Sequence, residues 1–360
     1  MAVSGPGRLT PVRLKIAAVL IGLTGGLLLA EGGAWFYQHY LDRDKQRARL
    51  FQKQNPTDKA LFFGRMPFNF KPGSEGRYAG VPIRINREGF RDREVGPRKN
   101  GELRIAVIGD SIVFGHGLTE DETLSRRLEI KLNHEPAAGR PRVAVYNFGI
   151  PGSTSYEQYL IAQKVADLGF DGVIWVYYLN DPVFESWNRD IRECGVDVPW
   201  RFRVERMLRR SHLYDLAANR LALWTARIRY GFPSPYFAAH EPDQPGFQCV
   251  RRSLKAAADL FKARGMVSVL AVYPMPAVVG SGYPFQALHQ RMIALAAEGG
   301  FETLDLAPAF ERMTPEQVML NELDRHPNGR ANEMAAGAIA DYLERRGLLE
   351  VLKPAREMSK

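Results

Sequence analysis

Five short apolar runs, separated by segments of helical periodicity, constrain the fold of this chain more than any other feature. Most of the runs are apolar along nearly their whole length, which predicts strands buried on both faces of a parallel sheet. The alternation predicts a doubly wound α/β fold, a three-layer α/β/α sandwich around a five-stranded, mainly parallel sheet. The predicted strands lie at residues 104–108, 142–147, 172–179, 267–273 and 302–306. The predicted helices lie at residues 123–132, 155–168, 247–264, 285–298 and 329–345.

The composition excludes several classes of protein. Apolar residues make up 45% of the 360 residues and charged residues 25%, which is typical of a folded globular chain and not of a disordered or collagen-like one. Two cysteines exclude a disulfide-framed scaffold and a four-cysteine zinc site. The net charge of +9 suits contact with anionic lipid, acidic polysaccharide or nucleic acid, and does not choose among them.

An uncharged run at residues 16–30 indicates a membrane segment. At ~1.5 Å per residue the run spans ~22 Å, and its extension to Tyr37 reaches the ~30 Å of a bilayer core. We therefore predict a transmembrane signal-anchor helix over residues 16–37, after a basic tail over residues 1–15. A cleaved signal peptide is the alternative, since small residues surround Ala30. The anchor is favoured because aromatic residues and a charged helical stretch continue beyond the run.

The remaining chain divides into a large domain and its flanks. We predict that residues 38–100 form a linker or an approach segment packed on the domain. The reason is that residues 55–100 are rich in Gly, Pro and Arg and show little periodicity. The domain is predicted over residues 101–347, with a helical insertion at 183–246 and a C-terminal tail at 348–360.

Side chains with useful chemistry follow four of the predicted strands. Ser111 lies at a strand-to-helix turn, where its hydroxyl is exposed and can act as a nucleophile. Gly152 permits close approach of a backbone N–H to a ligand, and the Asn180 amide can donate to an oxyanion. His326 lies two residues after Asp324, and such a pair can deprotonate a serine. Each motif alone is common, but their joint occurrence at strand ends of one parallel sheet is specific.

The chain resembles the SGNH/GDSL hydrolase family through four blocks over roughly residues 84–347. A segment before the core also looks like the one that precedes it in membrane-anchored bacterial members. The blocks are Gly109-Asp110-Ser111, residues 147–152, Asn180-Asp181 and residues 324–328, and the preceding segment is residues 86–92.

The resemblance implies a flavodoxin-like sandwich and a serine esterase. No cofactor or metal is expected. The resemblance also implies that Ser111 is the nucleophile, with Asp110 supporting, that His326 is the general base, and that Asp324 orients the histidine. The oxyanion hole implied is the Ser111 amide, the Gly152 amide and the Asn180 side chain.

Two departures from the family pattern bear on these assignments. The acid often stands three residues before the histidine, where this chain has Leu323, and Glu322 is a weaker candidate than Asp324. Leu179 stands where many members have glycine before the asparagine. A short loop can present the acid in either register, so Asp324 stays assigned.

The insertion is unusually rich in arginine and tryptophan. It predicts either a cap that meets anionic glycan or lipid headgroups, or a helical excursion whose tryptophans, Trp187, Trp200 and Trp224, form a small core of their own. Cys194 and Cys249 bracket it and are either a disulfide or two thiols.

The histidines show no ligand spacing, and His116 is expected on a helix surface, with the pocket lining as the alternative. No nucleic-acid-binding module occurs.

The sequence thus predicts a serine esterase on a bacterial inner membrane, with its catalytic domain facing the periplasm. Its expected substrate is an O-acylated glycan of the envelope or an exported polysaccharide, with acetyl as the expected acyl group. Two alternatives remain: a lipid-directed esterase or O-acyltransferase with the same fold, and a non-catalytic polysaccharide-binding or assembly factor.

Overall fold

The computed structural model describes residues 11–65, 67–134, 141–183 and 190–351. Five parallel strands form the central sheet in the order β4-β3-β5-β6-β7, and an antiparallel hairpin, β1–β2, stands apart from it. The predicted α/β/α fold is confirmed, with a central sheet that is parallel throughout. The strands are β1 (Glu75–Tyr78), β2 (Val81–Arg84), β3 (Leu103–Gly109), β4 (Val143–Gly149), β5 (Gly172–Tyr177), β6 (Val267–Val272) and β7 (Glu302–Asp305).

Helices cover both faces of the sheet, and two further helices, α1 and α2, precede the first strand in the chain. The helices are α1 (Pro11–Phe36), α2 (Arg43–Gln54), α3 (Ser111–Phe114), α4 (Leu124–Asn133), α5 (Ser155–Asp167), α6 (Asp190–Glu193), α7 (Trp200–Leu208), α8 (His212–Tyr230), α9 (Pro235–Ala239), α10 (Pro245–Ala263), α11 (Gln286–Gly299), α12 (Pro315–Val318), α13 (Gly329–Arg345) and α14 (Leu348–Val351). A π-helical turn, Tyr37–Leu41, joins α1 to the stretch before α2.

Two hydrophobic clusters, one on each face of the sheet, make up the core. Trp175 and Phe148 project into the cluster that α5, α10 and α11 cover, and Val107 and Ile174 into the one that α4 and α13 cover. Because side chains alternate between faces along a strand, an entirely apolar strand supplies both clusters at once. This is why the continuous apolar runs correctly predicted β3, β4, β5 and β6 as buried strands, whereas β7, with its more polar sequence, is half-buried.

The approach segment, residues 38–100, packs on the domain. Phe70 and Phe90 are buried in the same cluster as the sheet, and the Phe70 ring stacks on Phe114 with 5.2 Å between centroids. At the other end, Leu348 and Leu349 are buried, so the predicted C-terminal tail begins with a packed helical turn. Residues 352–360 lie outside the described residues.

Within the described residues, one helical stretch near the N-terminus is long and apolar enough to cross a membrane. It contains α1, and no part of its apolar window is buried in the protein. The last turns of α1 contact the insertion: the Glu31 carboxylate accepts hydrogen bonds from His212 N at 2.6 Å, Leu213 N at 3.0 Å and Ser211 Oγ at 2.7 Å. Residues 1–10 of the predicted basic tail lie outside the described residues.

The insertion comprises α6 to α9, and a disulfide between Cys194 and Cys249 ties it to α10. Trp200 and Trp224 are 76% and 62% exposed, so they do not form a core inside the insertion. Trp187, the third tryptophan of that expectation, lies outside the described residues.

Candidate active site

Ser111 is the first residue of α3, directly after β3 and the turn residue Asp110. The Asp110 carboxylate caps this helical turn by accepting a hydrogen bond from Ile112 N at 2.9 Å. The turn packs closely on β4, since a Cβ on Gly149 would lie 2.2 Å from Phe114 N. Glycine at position 149 therefore allows the turn that presents Ser111 to sit against the neighbouring strand.

The structure brings Ser111, His326 and Asp324 into one hydrogen-bonded chain. The Ser111 Oγ lies 2.9 Å from His326 Nε2, and His326 Nδ1 lies 2.5 Å from Asp324 Oδ1. Because a carboxylate only accepts, Nδ1 carries the proton and Nε2 is left to accept from the serine hydroxyl. This is the tautomer that a general base for Ser111 requires.

The loop that carries this pair explains the unusual spacing of the acid. Leu320 N donates to the His326 carbonyl at 2.9 Å, and the Asn321 side chain accepts from Leu323 N and Asp324 N. This tight loop folds Asp324 back so that it accepts from both the backbone and the ring of His326. Glu322, the weaker candidate, is exposed.

The predicted oxyanion-hole residues occupy loops at the same edge of the sheet. Asn180 follows β5, and its Nδ2 donates to Asp110 Oδ2 at 2.9 Å. Gly152 follows β4 and has a φ of +75°, which favours glycine. Its loop is tied to the end of β3 because Ser153 Oγ donates to the Gly109 carbonyl at 3.3 Å.

All four predicted blocks thus lie at the carboxyl ends of parallel strands or in the loop that meets them, with the serine, histidine and aspartate in contact. The five-stranded parallel sheet with flanking helices is the α/β/α fold that the resemblance to SGNH/GDSL hydrolases implied, and Ser111 lies at the turn after β3 as expected.

Comparison with known proteins adds remote structural likeness. No family model matches the chain, and no curated protein sequence matches it. Similar solved structures include a lipolytic G-D-S-L family protein from Veillonella parvula, 13% identical over 68% of this chain and 99% of that one, with a TM-score of 0.39. The esterase EstA from Pseudoalteromonas sp. is 13% identical over 68% and 98%, with a TM-score of 0.40. The acetylxylan esterase Axe2 from Geobacillus stearothermophilus is 16% identical over 68% and 94%, with a TM-score of 0.40.

His116 lines the same site as Ser111, which was the alternative to the favoured position on a helix surface. The expected position on a helix surface is wrong. Helix α3 ends at Phe114, and Gly115 takes a left-handed conformation with φ of 77°. The chain therefore turns, and His116 Nε2 comes to lie 3.0 Å from Asp324 Oδ2. The spacing from Ser111 is visible in the sequence, but only the early end of the helix directs the ring to the site.

Two histidine partners shape the titration of Asp324. Burial by itself raises the pKa of this carboxyl, but hydrogen bonds from His116 and His326 outweigh it and hold the pKa far below its usual range. Asp324 is therefore an anion at neutral pH. Burial also lowers the pKa of His116, more than the nearby carboxylates raise it, so this ring is neutral at neutral pH.

Asp110 and Asp181 are buried acids near Ser111 and Asn180. Burial raises the pKa of both carboxyl groups, and for Asp181 the nearby Asp110 adds to the effect. Asp181 accepts hydrogen bonds from Ser155 Oγ at 2.6 Å and from Gln158 Nε2. It thereby ties the loop carrying Asn180 to α5, which explains why an acid follows the asparagine.

A cavity of about 560 Å³ opens onto Ser111, Asn180 and His326. Tyr78, Tyr178 and Tyr236 contribute to its lining. Burial raises the pKa of all three phenols, that of Tyr78 to about 12, so they are neutral hydrogen-bonding groups at neutral pH. Helix α2 supplies a further part of the wall, including Arg47 and Phe51.

Within the described part of the chain, His116, Asp324 and His326 form a group whose ligand atoms lie within 4.8 Å of one another. Such a group is able to hold a metal ion. Here the same atoms are hydrogen-bonded to one another and to Ser111, which suits acid–base chemistry on the serine.

Proposed function

We propose that this chain is a membrane-anchored serine esterase that removes O-acyl groups, acetyl in the simplest case, from an envelope or exported polysaccharide. The observation that carries the proposal is the Ser111–His326–Asp324 chain, with 2.9 Å and 2.5 Å between its polar atoms. A serine that only caps a turn has no need of a histidine in the correct tautomer and a carboxylate behind it.

In the acylation step, His326 Nε2 takes the Ser111 proton while Oγ attacks the ester carbonyl. Asp324 stabilises the imidazolium that forms. The Ser111 amide, the Gly152 amide and the Asn180 side chain donate to the oxyanion, each donor contributing about 3 kcal/mol. The sugar hydroxyl then leaves with the proton from His326, and the acyl group remains on Ser111.

In the deacylation step, water takes the place of the departed alcohol. His326 removes a proton from the water as it attacks the acyl-serine, the same donors hold the second oxyanion, and His326 returns the proton to Ser111. The acid is released. If a hydroxyl of a second sugar attacked instead, the same atoms would perform acyl transfer, so the chemistry of the acceptor decides between the two outcomes.

The cavity lining includes groups that suit a sugar ester. Tyr78, Tyr178 and Tyr236 carry hydroxyls that are able to bond to sugar hydroxyls, and Arg47 and Arg325 lie on the same lining.

The membrane placement rests on α1 and on the helix next to it in the chain, α2. Helix α1 is long and apolar enough to span a bilayer, and the juxtamembrane helix α2 lines the catalytic cavity. The site is therefore held close to the bilayer surface, where an envelope glycan under assembly is within reach. The Cys194–Cys249 disulfide supports a periplasmic position, because disulfides persist in oxidising compartments.

The activity is tested on the full-length chain in detergent, because α2 belongs to the cavity. We expect a fluorophosphonate probe to label the protein and p-nitrophenyl acetate to be hydrolysed, and Ser111→Ala to abolish both. Ser281→Ala, at an exposed serine outside the cavity lining, is the matched control for a change of serine. A folded chain that shows neither signal would contradict the esterase and favour a binding or assembly role.

The orientation is tested separately with Glu298→Cys, since Glu298 is exposed at the end of α11. A maleimide that cannot cross the inner membrane is expected to label this cysteine in cells with a permeabilised outer membrane. Labelling only after the inner membrane is broken would place the domain in the cytoplasm.

A further inference from the structure

Two histidines share the carboxylate of Asp324. Its Oδ1 accepts from His326 Nδ1 at 2.5 Å and from His326 N at 2.9 Å, and its Oδ2 lies 3.0 Å from His116 Nε2. Asp324 is only 7% exposed, so water has little access to this carboxylate. The second histidine thus provides a hydrogen bond to the oxygen that the Ser111–His326–Asp324 chain leaves unused.

Packing on several sides holds the His116 ring in this position. Its face stacks on His326, with 4.1 Å between centroids and 14° between planes. Tyr78 of the β1–β2 hairpin meets it edge-on at 5.4 Å, and Phe51 of α2 lies at 5.7 Å. Behind it, the buried Arg91 guanidinium donates to the carbonyls of residues 114, 115 and 118, on both sides of the histidine. A ring fixed in this way directs its Nε2 at Asp324 before any substrate binds.

We propose that His116 is a positioning residue of the serine hydrolase site, which acts by donating Nε2–H to Asp324 and so setting the orientation and effective charge of that carboxylate toward His326. The inference rests on the proposed serine esterase. It assigns His116 no contact with the reacting atoms. The effect reaches Ser111 only through Asp324 and His326.

A donor on Oδ2 has two consequences for the reaction. It stops the carboxylate from rotating away from the His326 ring, which keeps Nε2 aimed at Ser111. It also withdraws part of the negative charge that would otherwise stabilise the imidazolium of His326. The hydrogen bond from His116 to Asp324 is therefore expected to affect both kcat and the acid limb of the pH–rate profile.

The groups that face His116 are consistent with a neutral donor. Asp324 and Asp110 are the nearby acids, His326 is the nearby base, and Tyr78 and Phe51 present uncharged rings. Burial outweighs the two acids and lowers the pKa of His116. One ring nitrogen of the neutral imidazole carries a proton, and the contact with Asp324 requires that nitrogen to be Nε2.

Two substitutions separate the donor from the ring. His116→Phe keeps a ring against His326 and removes the N–H, and His116→Gln loses the ring but places an amide N–H near the former Nε2. We expect His116→Phe to lower kcat for p-nitrophenyl acetate by about 10- to 100-fold per labelled active site, with little change in KM. The acid limb of the pH–rate profile of His116→Phe should move to higher pH by about half a unit to one unit. His116→Gln should recover kcat to within about threefold of wild type and restore the limb.

Several results would overturn the inference. If His116→Phe keeps the wild-type kcat and the wild-type acid limb of the pH–rate profile, the hydrogen bond from His116 to Asp324 has no effect on the reaction. Equal losses in both variants, with unchanged limbs, would show that the ring serves only packing.

Failure of the proposed esterase would be recognised separately, as the absence of Ser111-dependent labelling in the wild type. The inference is then decided by imidazole ¹⁵N resonances of the full-length protein. A neutral Nε2–H tautomer of His116 from about pH 6 to about pH 8, altered in Asp324→Asn, supports it. An Nδ1–H tautomer or a charged ring contradicts it.

Discussion

Replacing Arg91 by methionine should destabilise the fold strongly, because this buried cation supports the loop that ends the serine turn. Arg91 is 3% exposed. It donates to the carbonyls of Phe114 at 3.1 Å, Gly115 at 2.6 Å and Leu118 at 2.5 Å. The approach segment thereby closes the carbonyl end of α3, and a methionine of similar length can fill the space but cannot donate.

The size of the effect depends on the number of these acceptors. The Gly115 carbonyl keeps a second donor, Leu118 N at 3.1 Å, so two carbonyls lose the donor described for them. Each buried, unpaired carbonyl costs about 1–3 kcal/mol. Removal of a buried charge gives part of this back, since burial lowers the pKa of Arg91 to about 10. We expect a net loss of about 2–4 kcal/mol, which corresponds to a fall in Tm of roughly 5–15 °C.

The assay is thermal unfolding of the full-length chain in detergent, followed by intrinsic fluorescence. Arg87→Met is the matched control, because Arg87 is exposed in the same segment and its replacement should shift Tm by no more than about 2 °C. Equal Tm values for the two variants would refute the reasoning. They would mean that the carbonyls of the loop find other donors and that the approach segment is not needed to hold it.

Three further outcomes are expected. Asn180→Ala should lower kcat for p-nitrophenyl acetate by roughly 10²–10³-fold with KM nearly unchanged, and a change confined to KM would exclude Asn180 from the oxyanion hole. Changing both Cys194 and Cys249 to serine should reduce the free energy of unfolding by about 4 kcal/mol under oxidising conditions, from the chain entropy of a loop with a sequence separation of 55. The reduced wild type should match that variant, and a wild type that is insensitive to reductant would argue against the bond. Burial lowers the pKa of His240 to about 4. As the pH falls from about 6.5 to about 4, His240 is protonated in the unfolded chain but not in the folded one, so the free energy of unfolding falls by up to ~3 kcal/mol. Denaturant unfolding across this range should show a shallower acid slope for His240→Gln, and parallel slopes would contradict the assignment.

Much of the site could be predicted because strand ends in a parallel sheet converge. Ser111, Gly152 and Asn180 each follow an apolar run, and parallel pairing of β4, β3 and β5 brings those three ends together. That step required only the recognition that each run is a strand. Asp324 and His326 follow the last strand only after further helical turns. Their residue types and the resemblance to the SGNH/GDSL family assigned them to the site.

Other features depended on local geometry that periodicity does not encode. His116 was expected on a helix surface because a helix of ordinary length would carry it outward. The helix stops after one turn, and Gly115 reverses the chain. The approach segment shows little periodicity, yet Phe70, Phe90 and Arg91 are buried, because they pack against a surface contributed by distant residues.

The sequence by itself determined the parallel α/β sheet, the order of the motifs along it and an apolar segment long enough to span a bilayer. These depend on hydrophobic patterns within one element, which neighbours in the chain reveal. The tertiary structure decided that His116 faces Asp324, that α2 lines the cavity, and that Trp200 and Trp224 are exposed. Those contacts join residues far apart in the chain, and their energies exist only after the elements have packed.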